Sequence, residues 1–301
     1  MRPLLLFGTA GIPRSAAHRT SVAGIARIRA LGLQAMELEF VQRVSMGEAT
    51  AQRVRAAAEE HGVRLSAHAP YYINFNSRDL EKVKASRIRL LDAARVASWC
   101  GAQDVIFHAG YYHDDPPAVV YERVKAQLTS LVAQLHDEGL SVCLRPETMG
   151  KGSQFGDLRE VLQLAADIEG VRPCIDFGHL YARATGRLNR YDEFVALLDE
   201  VKCELGEGGL QDMHMHVQGM AYTQAGERRH LNFVESDLRY EELVQAVADC
   251  GVSGTMICES PNLEKDALLL QRAYSRSRQA GPTLNCNHRL PNLQLDRMED
   301  E

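Results

Sequence analysis

No two of the seven cysteines form a CxxC pair, and their number is odd. A zinc ribbon or a thioredoxin-type redox motif is thereby excluded. Several of the cysteines lie inside apolar strand-like runs, as expected of buried, reduced thiols in a cytoplasmic protein. Long apolar runs are missing too. The N-terminal MRPLLLFGTAGIPRS holds only a short one, below what a secretory signal core or a membrane span requires. It reads as a first strand, and no membrane partner is expected. Net positive charge is lacking: the formal charge is −6. There is no global pull toward nucleic acid, although a local basic face is compatible with that total. No GxGxxG follows the first strand, which removes the dinucleotide signature of a doubly wound sheet.

What is present is alternation. The chain has 301 residues, 45% hydrophobic and 25% charged, enough for one large globular domain or two small ones. At this length about 75% of the unfolded surface can be buried. Strand-like runs occur at Leu4–Phe7, Ala35–Phe40, Leu65–His68, Asp104–His108, Leu140–Arg145, Arg172–Asp176, Gln211–His216 and Thr255–Glu259. Helical patterns separate them. The clearest spans Asp79 to Cys100, where Leu80, Val83, Ile88, Leu91, Ala94 and Val96 keep near-helical spacing. Gly32, Gly62, Gly101, Gly139, Gly170 and Gly251 stand where helices should stop. The α/β class follows, as a (β/α)8 TIM barrel over residues 1–275. Residues 276–301 lack periodicity and carry Gly281-Pro282, Pro291 and an acidic end, so a mobile C-terminal tail is expected there.

The chemistry lies at the strand ends. His68, His108, Glu147, Asp176, His216 and Glu259 close the runs LSAH, DVIFH, SVCLRPE, RPCID, DMHMH and TMICE. In a closed parallel barrel these ends converge on one face, where barrel active sites lie. A lone histidine is more often structural; His68 and His108 on adjacent strands are better explained as paired ligands. A buried Glu147 needs a partner, and a cation is a good one. Asp176 and His179 form DFGH, an offset that turns both into one cleft. His214 and His216 share a strand face; His216, nearer the end, is favoured as ligand, and His214 as a core or supporting residue. Imidazole and carboxylate without thiolate suit zinc, manganese or iron.

At these residues the chain resembles the endonuclease IV family, within the wider superfamily of xylose-isomerase-like barrels, over about residues 4–275. The resemblance implies a zinc-dependent phosphodiester hydrolase, an apurinic/apyrimidinic endonuclease of DNA repair. Its implied cofactor is two or three zinc ions, with manganese as the substitute, and its implied partner is DNA containing abasic sites. A monomer is expected. His68 in HAPYYIN, His108 in FHAG and Glu147 in PET match ligands of a first zinc. Asp176 in IDFGH, His216 in HVQG and Glu259 in ESP match the remaining ligands of a second, which Glu147 would share. His179 and His230 match ligands of a third, and Tyr71 an aromatic that contacts DNA. Glu147 and Glu259 are the implied catalytic residues: Glu147 as the bridge, Glu259 as ligand and proton acceptor.

Two departures stand out. The third zinc of the family takes an aspartate two residues before its final histidine; here Arg228 stands there, in GERRHLNF, with Glu227 one residue out of register. Arg228 and Arg229 are therefore read as phosphate-binding. The loop after the second strand, EFVQRVSMGEA, lacks the basic, glutamine- and aromatic-rich wedge of the family. Other basic candidates at the barrel mouth are Arg78, Lys151, Arg183 and Arg187. The rival reading is a single-metal sugar isomerase or epimerase of the same superfamily, acting on a small sugar or sugar phosphate. Glu147, Asp176, His216 and Glu259 would suffice for it; His68, His108 and His230 would have no evident use.

Overall fold

The computed structural model describes residues 5–280. Strands β1 (Leu5–Ala10), β2 (Ala35–Glu39), β3 (Arg64–His68), β4 (Asp104–Phe107), β5 (Cys143–Pro146), β6 (Cys174–Asp176) and β7 (Met213–Val217) alternate with helices. The helices are α1 (Ser21–Ala30), α2 (Glu48–His61), α3 (Leu80–Trp99), α4 (Pro117–Asp137), α5 (Leu158–Asp167), and the pair α6 (Phe177–Arg183) and α7 (Tyr191–Leu205). A hairpin, β8 (Gly219–Thr223) and β9 (Gly226–Leu231), follows β7. Then come α8 (Tyr240–Asp249), the last barrel strand β10 (Gly254–Cys258) and α9 (Glu264–Ala280).

The parallel strands run in the order β5-β4-β3-β2-β1-β10-β7-β6. The two ends meet. Leu144 N donates to Gly170 O and Arg172 N to Leu144 O, each at 3.1 Å, and Thr148 N donates to Cys174 O at 3.1 Å. The result is the expected (β/α)8 barrel. The hairpin is an addition that the strand count did not anticipate.

Local signals explain the helices. Asp79 caps α3 by accepting from Glu81 N at 3.0 Å, and Cys100 closes it. Leu91, Ala94 and Val96 of the expected stripe are buried, but Leu80 and Ile88 face solvent; the buried face is completed by Leu90 and Ala97 instead. Asp157 and Glu160 form a capping box on α5. All six glycines expected at helix ends have positive φ, the backbone region that costs a residue with a Cβ about 1–2 kcal/mol. Helix α9 continues to Ala280, past the expected domain boundary at 275. The rest of the expected tail lies outside the described residues.

The face opposite the ligands is locked by ions. Arg145 is 1% exposed, and its Nε donates to Asp104 Oδ1 at 2.5 Å. Its Nη atoms donate to the carbonyls of Pro173 and Asp212, each at 3.1 Å. Arg64 bridges Asp104 and Asp212 at 3.0 and 2.6 Å, and Arg172 reaches Asp212 at 3.0 Å. Burial works against the Asp104 carboxylate, but Arg145 holds it below the usual range. Breaking such a buried pair from one side costs about 3–5 kcal/mol. Among the described residues the six cysteines are free thiols, and no helix is long and apolar enough to cross a membrane.

Candidate metal centre

The site is built upward from the barrel interior. On β2, Glu37 and Glu39 point the same way because strand side chains alternate. Glu37 Oε2 accepts from Ser66 Oγ at 2.7 Å and meets His214 Nε2 at 2.9 Å. Its Oε1 lies 3.0 Å from His216 Nε2. All four side chains are buried. Burial raises Glu37, yet the neighbouring His216 and His214 hold it well below the usual range. That contact is an ion pair without hydrogen-bond alignment, since Glu37 Oε1 and His216 Nε2 are both buried with no hydrogen-bond partner among the described residues; His216 Nδ1 faces the layer above. His214 faces Glu37 and not the layer above.

In that upper layer Glu147 is central. Its Oε2 lies 3.1 Å from both His68 Nε2 and His108 Nε2. Its Oε1 lies 3.1 Å from His179 Nδ1 and 3.4 Å from His216 Nδ1. The two oxygens thus divide four histidines into two pairs. His68 Nδ1 faces the carbonyl of Ala69 at 2.8 Å; placing the proton there leaves Nε2 as an open donor. Asp176 Oδ2 lies 3.2 Å from His179 Nδ1, and Gln218 Nε2 donates to both Asp176 oxygens, at 3.1 and 2.9 Å. Glu259 Oε1 reaches His216 Nδ1 at 3.3 Å, and its Oε2 lies 3.9 Å from His230 Nδ1.

Three clusters emerge whose donor atoms lie within 4.8 Å of one another: His68, His108 and Glu147; Glu147, Asp176, His216 and Glu259; and His179, Glu227 and His230. A fourth, Cys174 with His214 and His216, lies beneath. The donors suit a divalent cation, and the protonation pattern says the same. Burial pushes Glu39 up to about 8 and Asp176 up to about 6. His68 is raised to about 10, burial being overcome by Glu147 and Glu39. Protons thus occupy the places of cationic charge among packed acids, and a metal would displace them. Glu39 Oε1 and Gln218 Oε1 are buried with no hydrogen-bond partner among the described residues.

The third cluster is built differently from the pattern that the resemblance implies. Along the hairpin, Met220 pairs with His230, Ala221 with Arg229, and Tyr222 with Glu227. Arg228 is the extra residue of a bulge. A bulge reverses the alternation of a strand, so Glu227, three residues before His230, shares its side of the strand. Glu227 Oε2 lies 3.6 Å from His179 Nε2, and Arg228 is exposed. Gly226 makes this approach feasible: a Cβ there would lie 2.2 Å from Gly150 O, and Glu227 N donates to that same oxygen at 2.9 Å.

The expected basic rim is partly spent elsewhere. Arg78 pairs with Asp114 at 3.2 Å. Arg183 Nη1 donates to the carbonyls of Met149, Lys151 and Gln154, and Arg187 Nε to that of Ala184. Arg228 and Arg229 are exposed on β9. Tyr71 is half-exposed, its ring 5.4 and 5.5 Å from those of His68 and His108. It lines a cleft of about 540 Å³ together with Glu39, His230, Glu259, Arg14 and Arg19.

A sequence profile of the xylose isomerase-like TIM barrel family matches residues 25–278. The chain belongs to that family. An uncharacterised protein of Methanocaldococcus jannaschii is 43% identical over 272 residues, 90% of this chain and 97% of its own. The solved endonuclease IV from Thermus thermophilus superposes with a TM-score of 0.68 at 20% identity, covering 91% of this chain and 100% of that one. A D-tagatose 3-epimerase-like protein does so with a TM-score of 0.66 at 17% identity, covering 90% and 97%. The barrel and the endonuclease IV likeness expected from the sequence are thus borne out, and both functional branches share the architecture. Glu37, Glu39, Gln218 and the placement of Glu227 escaped the sequence reading. The available signal for the first two was an acid at every second position of a strand buried on both faces.

Proposed function

We propose that this barrel is a metal-dependent phosphodiester hydrolase that nicks DNA at abasic sites. The observation that carries the reading is Glu147, whose two oxygens face two separate histidine pairs, His68 with His108 and His179 with His216. A single-ion site has no use for such a division; a bridging carboxylate does. His68, His108 and Glu147 would hold one ion, Glu147, Asp176, His216 and Glu259 a second, and His179, Glu227 and His230 a third. Zinc or manganese bound there supplies Lewis acidity toward a phosphoryl group and makes water a stronger nucleophile at neutral pH.

The chain's own groups orient and buffer that chemistry. Glu37 places its charge 3.0 Å behind the ring of His216, and Gln218 holds the carboxylate of Asp176 by hydrogen bonds. Glu259 opens onto the cleft, between His216 and His230, where its Oε2 can take up a proton. Tyr71 supplies an aromatic wall beside His68 and His108, on which an unpaired sugar or base can stack.

A second reading is favoured by one observation: Glu39, which burial pushes up to about 8, lines the cleft as an acid able to hold or pass a proton at neutral pH, a group that proton transfer on a sugar needs and phosphodiester hydrolysis does not. That suits a sugar isomerase or epimerase using Glu147, Asp176, His216 and Glu259 alone. The deciding experiment incubates the protein with zinc or manganese and three substrates: a labelled duplex with one abasic site, an unmodified duplex, and a panel of ketoses. Nicking confined to the abasic strand supports the hydrolase. Interconversion of a ketose without nicking overturns it in favour of the isomerase.

A further inference from the structure

The cleft beside the metal centre is lined by two chemically opposite kinds of group. Glu39 and Glu259 are the acids, with Tyr71 among the lining; Arg14 and Arg19, from the loop between β1 and α1, are the cations. This loop is held in place. Glu264, buried at the start of α9, accepts from Arg14 N at 2.9 Å and from Ser15 N at 2.8 Å, across a sequence separation of 250 and 249 residues. Arg19 Nη1 donates to the carbonyls of Ile12 and Pro13 at 3.3 and 3.4 Å, which braces the loop, and the residue is exposed. Among the described residues neither guanidinium is paired with a carboxylate, in contrast to Arg78, which is neutralised by Asp114.

A guanidinium offers a planar fork that matches phosphate oxygens. A carboxyl group bonds to sugar hydroxyls, so a lining that holds both kinds of group suits a ligand carrying both phosphate and hydroxyls. The volume, about 540 Å³, lies in the range of small-molecule sites, about 300–1,000 Å³.

We propose that Arg14 and Arg19 form an anion subsite at the rim of this cleft and that the substrate is a phosphorylated sugar. Its phosphate lies on the two guanidiniums and its hydroxyls face Glu39 and Glu259. The proposal rests on reading the adjoining cluster as the place where that substrate reacts. One chemistry has two sources here, a free ketose phosphate or the deoxyribose phosphate of an abasic nucleotide.

Calorimetric titration of the purified full chain separates them, with D-fructose 6-phosphate, D-fructose, a duplex carrying a tetrahydrofuran abasic analogue, and the unmodified duplex as probes. The double variant R14A/R19A is expected to weaken fructose 6-phosphate or the tetrahydrofuran duplex at least about tenfold, since each charge-assisted contact is worth about that factor. D-fructose binding and metal content stay unchanged, and R14K/R19K recovers part of the loss. A loss confined to fructose 6-phosphate assigns the free sugar phosphate; a loss confined to the duplex analogue assigns abasic DNA. A change below about tenfold for both ligands overturns the subsite. Failure of the nuclease reading looks different: no nicking, with the arginine-dependent preference for fructose 6-phosphate intact.

Discussion

Glu37 Oε1 lies 3.0 Å from His216 Nε2, on the side of the ring turned away from the metal centre. A carboxylate behind a ligating imidazole fixes its orientation and raises its basicity, and loss of such a group typically costs about 10–100-fold in metal affinity. Glu37→Gln keeps the shape and removes the charge. The expected result is zinc affinity lowered by that factor, measured by chelator competition, with stoichiometry at saturation unchanged and partial recovery in Glu37→Asp. Unaltered affinity in Glu37→Gln would reduce Glu37 to a packing role.

Glu147 is placed at the centre of both functional readings. Glu147→Gln removes a charge from between His68, His108, His179 and His216. Turnover should fall by at least about a hundredfold, the scale of losing one group that stabilises the transition state, with the far-ultraviolet circular dichroism intact. Near-normal turnover in a folded, metal-loaded variant would sink both mechanisms.

The bulge at Arg228 assigns the third cluster to Glu227. Glu227→Ala is expected to remove about one ion per chain, as loss of a ligand from an open three-donor set should, whereas Arg228→Ala keeps the full complement. Elemental analysis after gel filtration reads both. The reverse outcome would mean that the strand register is not the one described.

Metal binding should depend steeply on pH. Without an ion Asp176 is pushed up to about 6, chiefly by burial, and His68 up to about 10. Both must lose a proton to ligate, so affinity rises with pH. Between pH 8 and 6 zinc affinity should fall at least about tenfold per unit, because His68 retains its proton there, as do His179 and His216, both raised well above 6.5; below 6 Asp176 adds a further proton. For the metal-free fold the sign is reversed: the raised pKa of His68 stabilises it below its unfolded value near 6.5, and that contribution is lost as pH climbs toward 10. Chelator competition across pH 5 to 8 checks the first slope, and a flat profile would contradict it.

The barrel and most of the centre were legible because strand ends in a parallel barrel converge, so the position of a residue in its run determines where it points. Asp79 and the six glycines at helix ends marked element boundaries directly. What stayed hidden was nonlocal or one residue fine. The bulge that brings Glu227 beside His179 leaves the spacing in GERRHLNF unchanged, so counting residues pointed to Arg228 instead. Arg78 and Arg183 read as free cations because their partners, Asp114 and the carbonyls of Met149, Lys151 and Gln154, lie 36 and up to 34 residues away. Arg14 and Arg19 were passed over because only the folded loop, pinned by Glu264, carries them to the cleft.

The central claim is that Glu147 divides two metal positions. Elemental analysis of freshly purified protein, repeated on His108→Ala, tests it most directly. Two or more zinc or manganese ions per chain are expected, with about one fewer in the variant, because an imidazole at His108 Nε2 completes only the first position. A single ion per chain that is indifferent to His108→Ala would contradict the claim and leave a one-metal barrel.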